Sequence, residues 1–263
     1  MSDLERPIPD GYVWDNTWAP ARRRLALLEG LYDPGTQRRI AGLGVKPGSS
    51  CLEVAGGGGT VAEFLCRAVG PEGRVVTVDL DTRFLRELDL PNLEVIERDV
   101  VADGLPGGAF DLVHARALLM HLNEREELLA AFAAVLRPGG WLLVEEGDKF
   151  PIDAVDEGAY RAAWRIIKRV AAPAGLDTCW ARQLPGRLCA LGLADVDCQM
   201  DGSFFTGGSA GAQFIQMTLA QTLEKVPLAE DERQVLEDAI AELDDAGRWF
   251  PSFVMVAAWG RRA

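Results

Sequence analysis

Two hydrophobic rhythms run along this chain. Short, almost continuously apolar runs stand at Cys51–Val54, Val75–Val78, Leu93–Asp99, Phe110–Arg116 and Trp141–Val144, the third and fourth carrying acids and bases at their ends. Between them, apolar residues fall three and four apart, at 61, 64, 65 and 68 and again at 128, 129, 132, 135 and 136. The first pattern predicts strands covered on both faces, and the second predicts helices packed on them. Strand and helix alternating at this spacing imply right-handed crossovers, hence an α/β fold with a Rossmann-like, doubly wound, mostly parallel sheet. Beyond Asp148 the pattern turns helical, near 156–171, 180–191, 209–225 and 229–246, with strands at Asp195–Met200 and Phe253–Trp259 that would extend the sheet edge. Arg22–Leu31 reads as an amphipathic helix with Leu25, Leu28 and Leu31 on one face. The chain therefore divides into an N-terminal segment (1–40), a sheet-forming core (41–150) and a region of helical cap insertions with the last strands (151–263).

The core is organised around Gly56-Gly57-Gly58-Gly59, set between the strand Cys51–Val54 and the helix that starts near Thr60. Glycines let the backbone take positive φ and approach a ligand closely, while the new helix points unpaired N–H groups at the same place. Gly57-x-Gly59-x-x-Ala62 with Asp79 about 20 residues on also fits a dinucleotide fingerprint. One reading is thus an NAD-dependent oxidoreductase, although Tyr160 has Trp164 rather than lysine four residues on.

The acid inside the first strand points elsewhere. Leu52-Glu53-Val54-Ala55-Gly56-Gly57-Gly58-Gly59 resembles the first motif of the class I S-adenosylmethionine (SAM) dependent methyltransferases of small-molecule type. Phe110-Asp111-Leu112-Val113 and Leu136-Arg137-Pro138-Gly139-Gly140 resemble later motifs in the family's order, so the resemblance spans about 45–150. It implies SAM as cofactor, S-adenosylhomocysteine as product, and methyl transfer to an O, N or C atom of a small acceptor. It also implies roles: Glu53 holds the methionine amino end, Ala55 and Gly57 form the loop, Asp79 binds ribose, Leu80 packs on adenine, and Asp99 and Val100 contact the adenine edge. The family most often has glycine where Ala55 stands. The N-terminal segment is either a strap across the core or a lid; the resemblance favours a lid, with Tyr12 and Trp18 on the substrate side. A SAM-binding protein that transfers no methyl group is a further alternative.

Composition narrows the partners. A 263-residue chain with 48% hydrophobic and 25% charged residues can bury a full core. Its net charge of −13 repels phosphate backbones and anionic lipid, so neither a nucleic acid nor a membrane is expected as partner. Arg22-Arg23-Arg24 is the only run of three basic residues. Five cysteines without C-x-x-C spacing or a preceding apolar signal fit a reducing cytoplasm.

Candidate chemistry is sparse. Of the two histidines, His121 follows the fourth strand where a methyl group would emerge, and is the candidate catalytic base; it could instead hydrogen-bond within the fold. His114, inside that strand, reads as structural. Arg116 either pairs with the cofactor carboxylate or an acidic substrate, or balances nearby acids. Glu145, Glu146 and Asp148 form an acidic cluster that could bind a divalent metal, yet His114-Ala115-Arg116 stands where catechol-type methyltransferases place a metal-binding acid, so no metal is expected. Aromatic residues in the helical half suggest an apolar or aromatic acceptor.

Overall fold

The computed structural model describes residues 12–263; Pro7 and Pro9 of the N-terminal segment lie outside the described residues. Helix α1 (Ala21–Gly42) precedes β1 (Ser50–Val54), α2 (Thr60–Val69), β2 (Arg74–Asp79), β3 (Leu93–Glu97), β4 (Phe110–Arg116), α3 (Arg125–Ala134) and β5 (Leu136–Asp148). The cap follows as α4 (Phe150–Asp153), α5 (Ala159–Ala171) and α6 (Leu184–Ala190), then β6 (Ala194–Asp201), β7 (Phe204–Thr206), α7 (Ala210–Lys225), α8 (Glu230–Glu242), β8 (Trp249–Pro251) and β9 (Val254–Arg261).

Seven strands form one sheet in the order β3-β2-β1-β4-β5-β9-β6. The first five run parallel, and β9 pairs antiparallel with both β5 and β6. Chain order reverses between β1 and β4, which opens a crevice beyond the strands' carboxyl ends. Alternate side chains of each strand serve opposite faces. On one face Cys51, Val75, Leu112 and Leu143 meet Val61, Leu65 and Val69 of α2 and Ile40 of α1. On the other, Leu52, Val76, Val113 and Leu142 meet Leu128 and Phe132 of α3 and Leu184 and Leu188 of α6. Each fully buried leucine of this kind contributes roughly 1.5–3 kcal/mol. A third apolar cluster lies in the cap, where Trp164 of α5, Phe214 of α7 and Leu236 of α8 gather around Trp14.

Two expectations need correction, and one element was missed. Helix α1 does not stop at Leu31 but continues through Pro34 to Gly42. Proline and glycine at 34 and 35 argue against a helix locally; tertiary contacts of its second half override that propensity. Strand β5 begins at Leu136, so Pro138-Gly139-Gly140 lies inside it, at an irregularity where the β4–β5 register shifts between Phe110 and Leu112. The β7–β8 pair, three residues on each side, was not predicted because it is too short to show a period.

What holds α1 is a buried polar clasp. Glu53 of β1, His114 of β4 and Glu145 of β5 all project on the α1 side of the sheet. His114 lies between the two acids, Nδ1 2.7 Å from Glu53 and Nε2 3.1 Å from Glu145. Burial alone would lower its pKa, but the two carboxylates outweigh it and raise the imidazole to about 9, so it donates to both. Arg39 of α1 donates from Nε to Glu145 at 2.7 Å and from Nη1 to Asp201 at 2.6 Å. The Thr36 hydroxyl donates to Glu145 as well. Arg116 completes the clasp, reaching Thr36 at 2.9 Å and Asp33 at 2.7 Å. Glu145 feels its burial, yet His114 and Arg39 hold its carboxyl down to about 2.

Removing one member leaves buried charge without a partner. Arg39→Met is expected to lose about 3–5 kcal/mol in urea unfolding; a loss below about 1 kcal/mol would show that the clasp does not hold α1. A histidine whose folded pKa is raised stabilises fully below its unfolded value and ceases to do so as pH climbs through the folded one. For His114 that window runs from 6.5 to about 9. The stability gap between the wild type and His114→Gln should therefore shrink, by on the order of 3 kcal/mol, between about pH 6 and pH 10. A gap independent of pH would contradict a charged His114.

Candidate functional site

The cavity at the switch point is built outward from the end of β1. Ala55 bends the chain with φ of 60°, its N–H held by the Val78 carbonyl at 2.8 Å. A left-handed conformation costs alanine roughly 1–2 kcal/mol, which explains why glycine is the usual tenant of such a turn. Gly57, also left-handed at 55°, donates its N–H to Asp79 Oδ2 at 2.9 Å. The loop and the acid at the end of β2 are thus one unit, and burial raises the Asp79 pKa despite these backbone bonds. Helix α2 begins directly behind, with its N–H groups aimed at the loop.

Helix α1 crosses in front of this loop. Arg24, Leu25, Leu28, Glu29 and Tyr32, one helical face, all line the cavity. A Cβ built on Gly58 would run into the Glu29 carboxylate, so an acid stands where the dinucleotide fingerprint needs a pyrophosphate. Burial, with Asp33 nearby, raises the Glu29 pKa. The arrangement accommodates an uncharged or cationic ligand tail and opposes a diphosphate.

The cavity measures about 890 Å³. Glu53, Ala55, Gly57, Asp79, Leu80, Asp99, Val100 and Arg116 all lie on its wall, so the residues singled out for a cofactor are gathered in one place. Leu80 is 64% exposed, an apolar side chain left open beside Asp79. Asp99 caps its own loop, accepting from the N–H groups of Val101 at 2.9 Å and Ala102 at 3.2 Å. Glu53 accepts from His114 at Oε2, and the Arg116 guanidinium is paired with Asp33.

The opposite wall comes from the N-terminal segment and the cap, through Tyr12, Trp14, Trp164, Phe214 and Phe253. His121 is here too, packed edge-on against Tyr12 at 4.9 Å and tilted against Trp14 at 5.5 Å. Burial and the positive charges of Arg24 and Arg125 lower its pKa to about 3. The site thus favours the neutral imidazole, the form from which a general base acts. Trp18 stands apart from this wall. Its indole N–H donates to Glu224 at 2.7 Å on the outer side of α7, and it is absent from the cavity wall. Trp14 takes the inner position instead, donating to Thr218 O and Thr222 Oγ1, each at 3.2 Å.

The acidic cluster does not converge. Glu145 belongs to the clasp, while Glu146, next along the strand and so on the other face, accepts from the N–H groups of Leu118, Leu119 and Met120 at 3.1, 2.7 and 3.3 Å. Burial pushes its pKa up to about 7 against those donors. Asp148 is paired with Arg182 at 2.6 Å. Among the described residues no group of three or more His, Cys, Asp or Glu is placed to hold a metal. Sequence reading missed Trp14, Arg24 and Glu29; the 24-25-28-29-32 spacing on α1 was the available signal.

Comparison with known proteins agrees with this geometry. Residues 52–144 match the family model described as a methyltransferase domain. Among curated relatives, the ubiquinone/menaquinone biosynthesis C-methyltransferase UbiE of Hahella chejuensis is 34% identical over 125 residues, 44% of this chain and 50% of that protein. The UbiE of Francisella tularensis subsp. novicida is 30% identical over 128 residues, 46% of this chain and 51% of its own. The chain thus spans about half the length of the curated relatives it matches. A cyclopropane-fatty-acyl-phospholipid synthase-like protein from Lactobacillus casei shares the fold with a TM-score of 0.58 at 18% identity, covering 92% of this chain and 93% of that one. Geranyl diphosphate C-methyltransferase from Streptomyces coelicolor shares it with a TM-score of 0.53 at 14% identity, covering 98% and 91%. Residues 52–144, which carry the ordered motifs and the glycine loop joined to Asp79, thus match a methyltransferase domain.

Proposed function

We propose that this protein binds SAM along the carboxyl ends of β1, β2 and β3 and transfers its methyl group to a small, apolar or aromatic acceptor held under the cap. The observation that carries this reading is the Glu29 carboxylate over the glycine loop, with Asp79 fixed to the Gly57 N–H. Together with Glu53 these acids form a negative cradle suited to a cationic cofactor and hostile to a dinucleotide's pyrophosphate. SAM supplies an electrophilic methyl group on a sulfonium and leaves as S-adenosylhomocysteine.

The chain's own residues do the rest. Asp79 has an acceptor oxygen for ribose hydroxyls, the open face of Leu80 suits an adenine ring, and Asp99 with Val100, on the same wall, would contact its edge. Tyr12, Trp14, His121 and Phe214 hold the acceptor in line with the methyl group and exclude water, so positioning supplies the acceleration. Neutral His121 serves as a wall and hydrogen-bonding group, which favours acceptors that arrive already nucleophilic. Residues 12–18 act as part of a lid, fastened to α7 through Trp14, Trp18 and the Asp15–Lys225 ion pair.

Calorimetric titration with S-adenosylhomocysteine, and with NADH in parallel, tests the cofactor. Micromolar binding of the first, weakened at least about tenfold in Asp79→Ala, is expected. Binding of NADH without S-adenosylhomocysteine would overturn the proposal.

A further inference from the structure

Every deeply buried guanidinium of the clasp has an acid beside it, Arg39 with Glu145 and Asp201, Arg116 with Asp33. Arg24 does not. It is 6% exposed, lines the main cavity, and among the described residues has no carboxylate at ion-pairing distance. Nη2 donates to the Trp14 carbonyl at 2.9 Å, while Nε has no partner at all. The rings beside it are uncharged, while the acids Asp79 and Glu146 act on Tyr12. Tyr12 carries its proton, as an ordinary tyrosine does at neutral pH, and His121 stays uncharged, in part because Arg24 itself is near. An unpaired charge buried at this depth is costly, and structures keep one where a ligand completes the pair.

The position of Arg24 indicates which ligand. On the same helical face, Leu25 lies over Gly57 and Glu29 over Gly58, so the residues facing the loop are accounted for. Arg24 faces Tyr12, Trp14 and His121, the aromatic side. A planar guanidinium with free donors matches the oxygens of a carboxylate or phosphate, and repels an ammonium group.

We propose that Arg24 anchors an oxyanion, carboxylate or phosphate, carried by the methyl acceptor, so that the preferred substrates are apolar or aromatic acids. This rests on the methyltransferase reading for the word acceptor, but the anion site itself can be measured separately. Its partners in the site would be the Arg24 guanidinium and the Tyr12 hydroxyl, with the apolar body of the substrate against Trp14 and Phe214. An acid held here also sets its positive anchor away from the sulfonium side, which the acids Glu53, Asp79 and Glu29 surround.

Protein saturated with S-adenosylhomocysteine is titrated with benzoate, phenyl phosphate, benzamide and benzylamine, in the wild type, Arg24→Gln and Arg24→Lys. One of the two anions should bind the wild type at least about tenfold more tightly than benzamide, with benzylamine weakest. Preference for benzoate identifies a carboxylate site, and preference for phenyl phosphate a phosphate site. Arg24→Gln should abolish the preference and Arg24→Lys restore part of it, with affinity for S-adenosylhomocysteine unchanged within about twofold. Equal binding of benzoate and benzamide, no anion binding at millimolar concentration, or a preference that survives in Arg24→Gln would overturn the proposal. So would a collapse of S-adenosylhomocysteine affinity in Arg24→Gln, which would assign Arg24 to the cofactor. Should the glutamine variant fail to fold, the wild-type discrimination and its change in Arg24→Lys decide the matter. If the wild type does not bind S-adenosylhomocysteine, the cofactor reading fails, and the same titrations on the unliganded protein still judge the anion site.

Discussion

A protonated histidine buried between two carboxylates fixes the geometry of this molecule. His114 joins β1 to β5 through Glu53 and Glu145, and Glu145 in turn holds Arg39 and Thr36 of α1. Such a network is stable only when every charge in it is answered, because the low-dielectric interior penalises any member left alone. The result is a helix pinned across the carboxyl end of the sheet at its second half. Its first half then has one orientation, with a single face over the crevice.

That orientation divides the cavity electrically. One end of the α1 face places Glu29 on the glycine loop, near Asp79 and Glu53. The other end places Arg24 among Tyr12, Trp14 and His121. A negative half and a positive half therefore meet within one cavity of about 890 Å³. Charge separation of this kind orients a cationic cofactor and an anionic acceptor relative to one another before any contact of close fit is made. It also accounts for the weak basicity of His121, which shares the positive half.

Much of the sheet and of its loop residues was legible in the sequence. Strand runs with acids at their ends, Glu53, Asp79 and Asp99, came in the order a parallel sheet needs, and all three lie on the cavity wall. Local chemistry made this possible, since each acid is placed by its own strand. What could not be read depends on contacts between distant parts. Pro34 looks like a helix stop until Asp33, Thr36 and Arg39 find the sheet. Trp14 and Trp18 are alike in sequence, and only the packing of α7 decides which of them faces inward. His121 was placed correctly beside the cavity, but the cations that lower its pKa come from α1 and α3. Arg24 looked like one member of a surface basic run, because burial of a single arginine out of three is set by helix phase against a partner not yet known.

The central claim, that α1 and the glycine loop together form a cradle for a cationic nucleoside cofactor, is tested most directly by a crystal structure with S-adenosylhomocysteine. The account predicts ribose hydroxyls on Asp79, the amino end near Glu53 and Glu29, the sulfur directed toward Tyr12, Trp14 and His121, and α1 unmoved. A ligand bound away from Asp79, or α1 displaced from its clasp to admit it, would contradict the account.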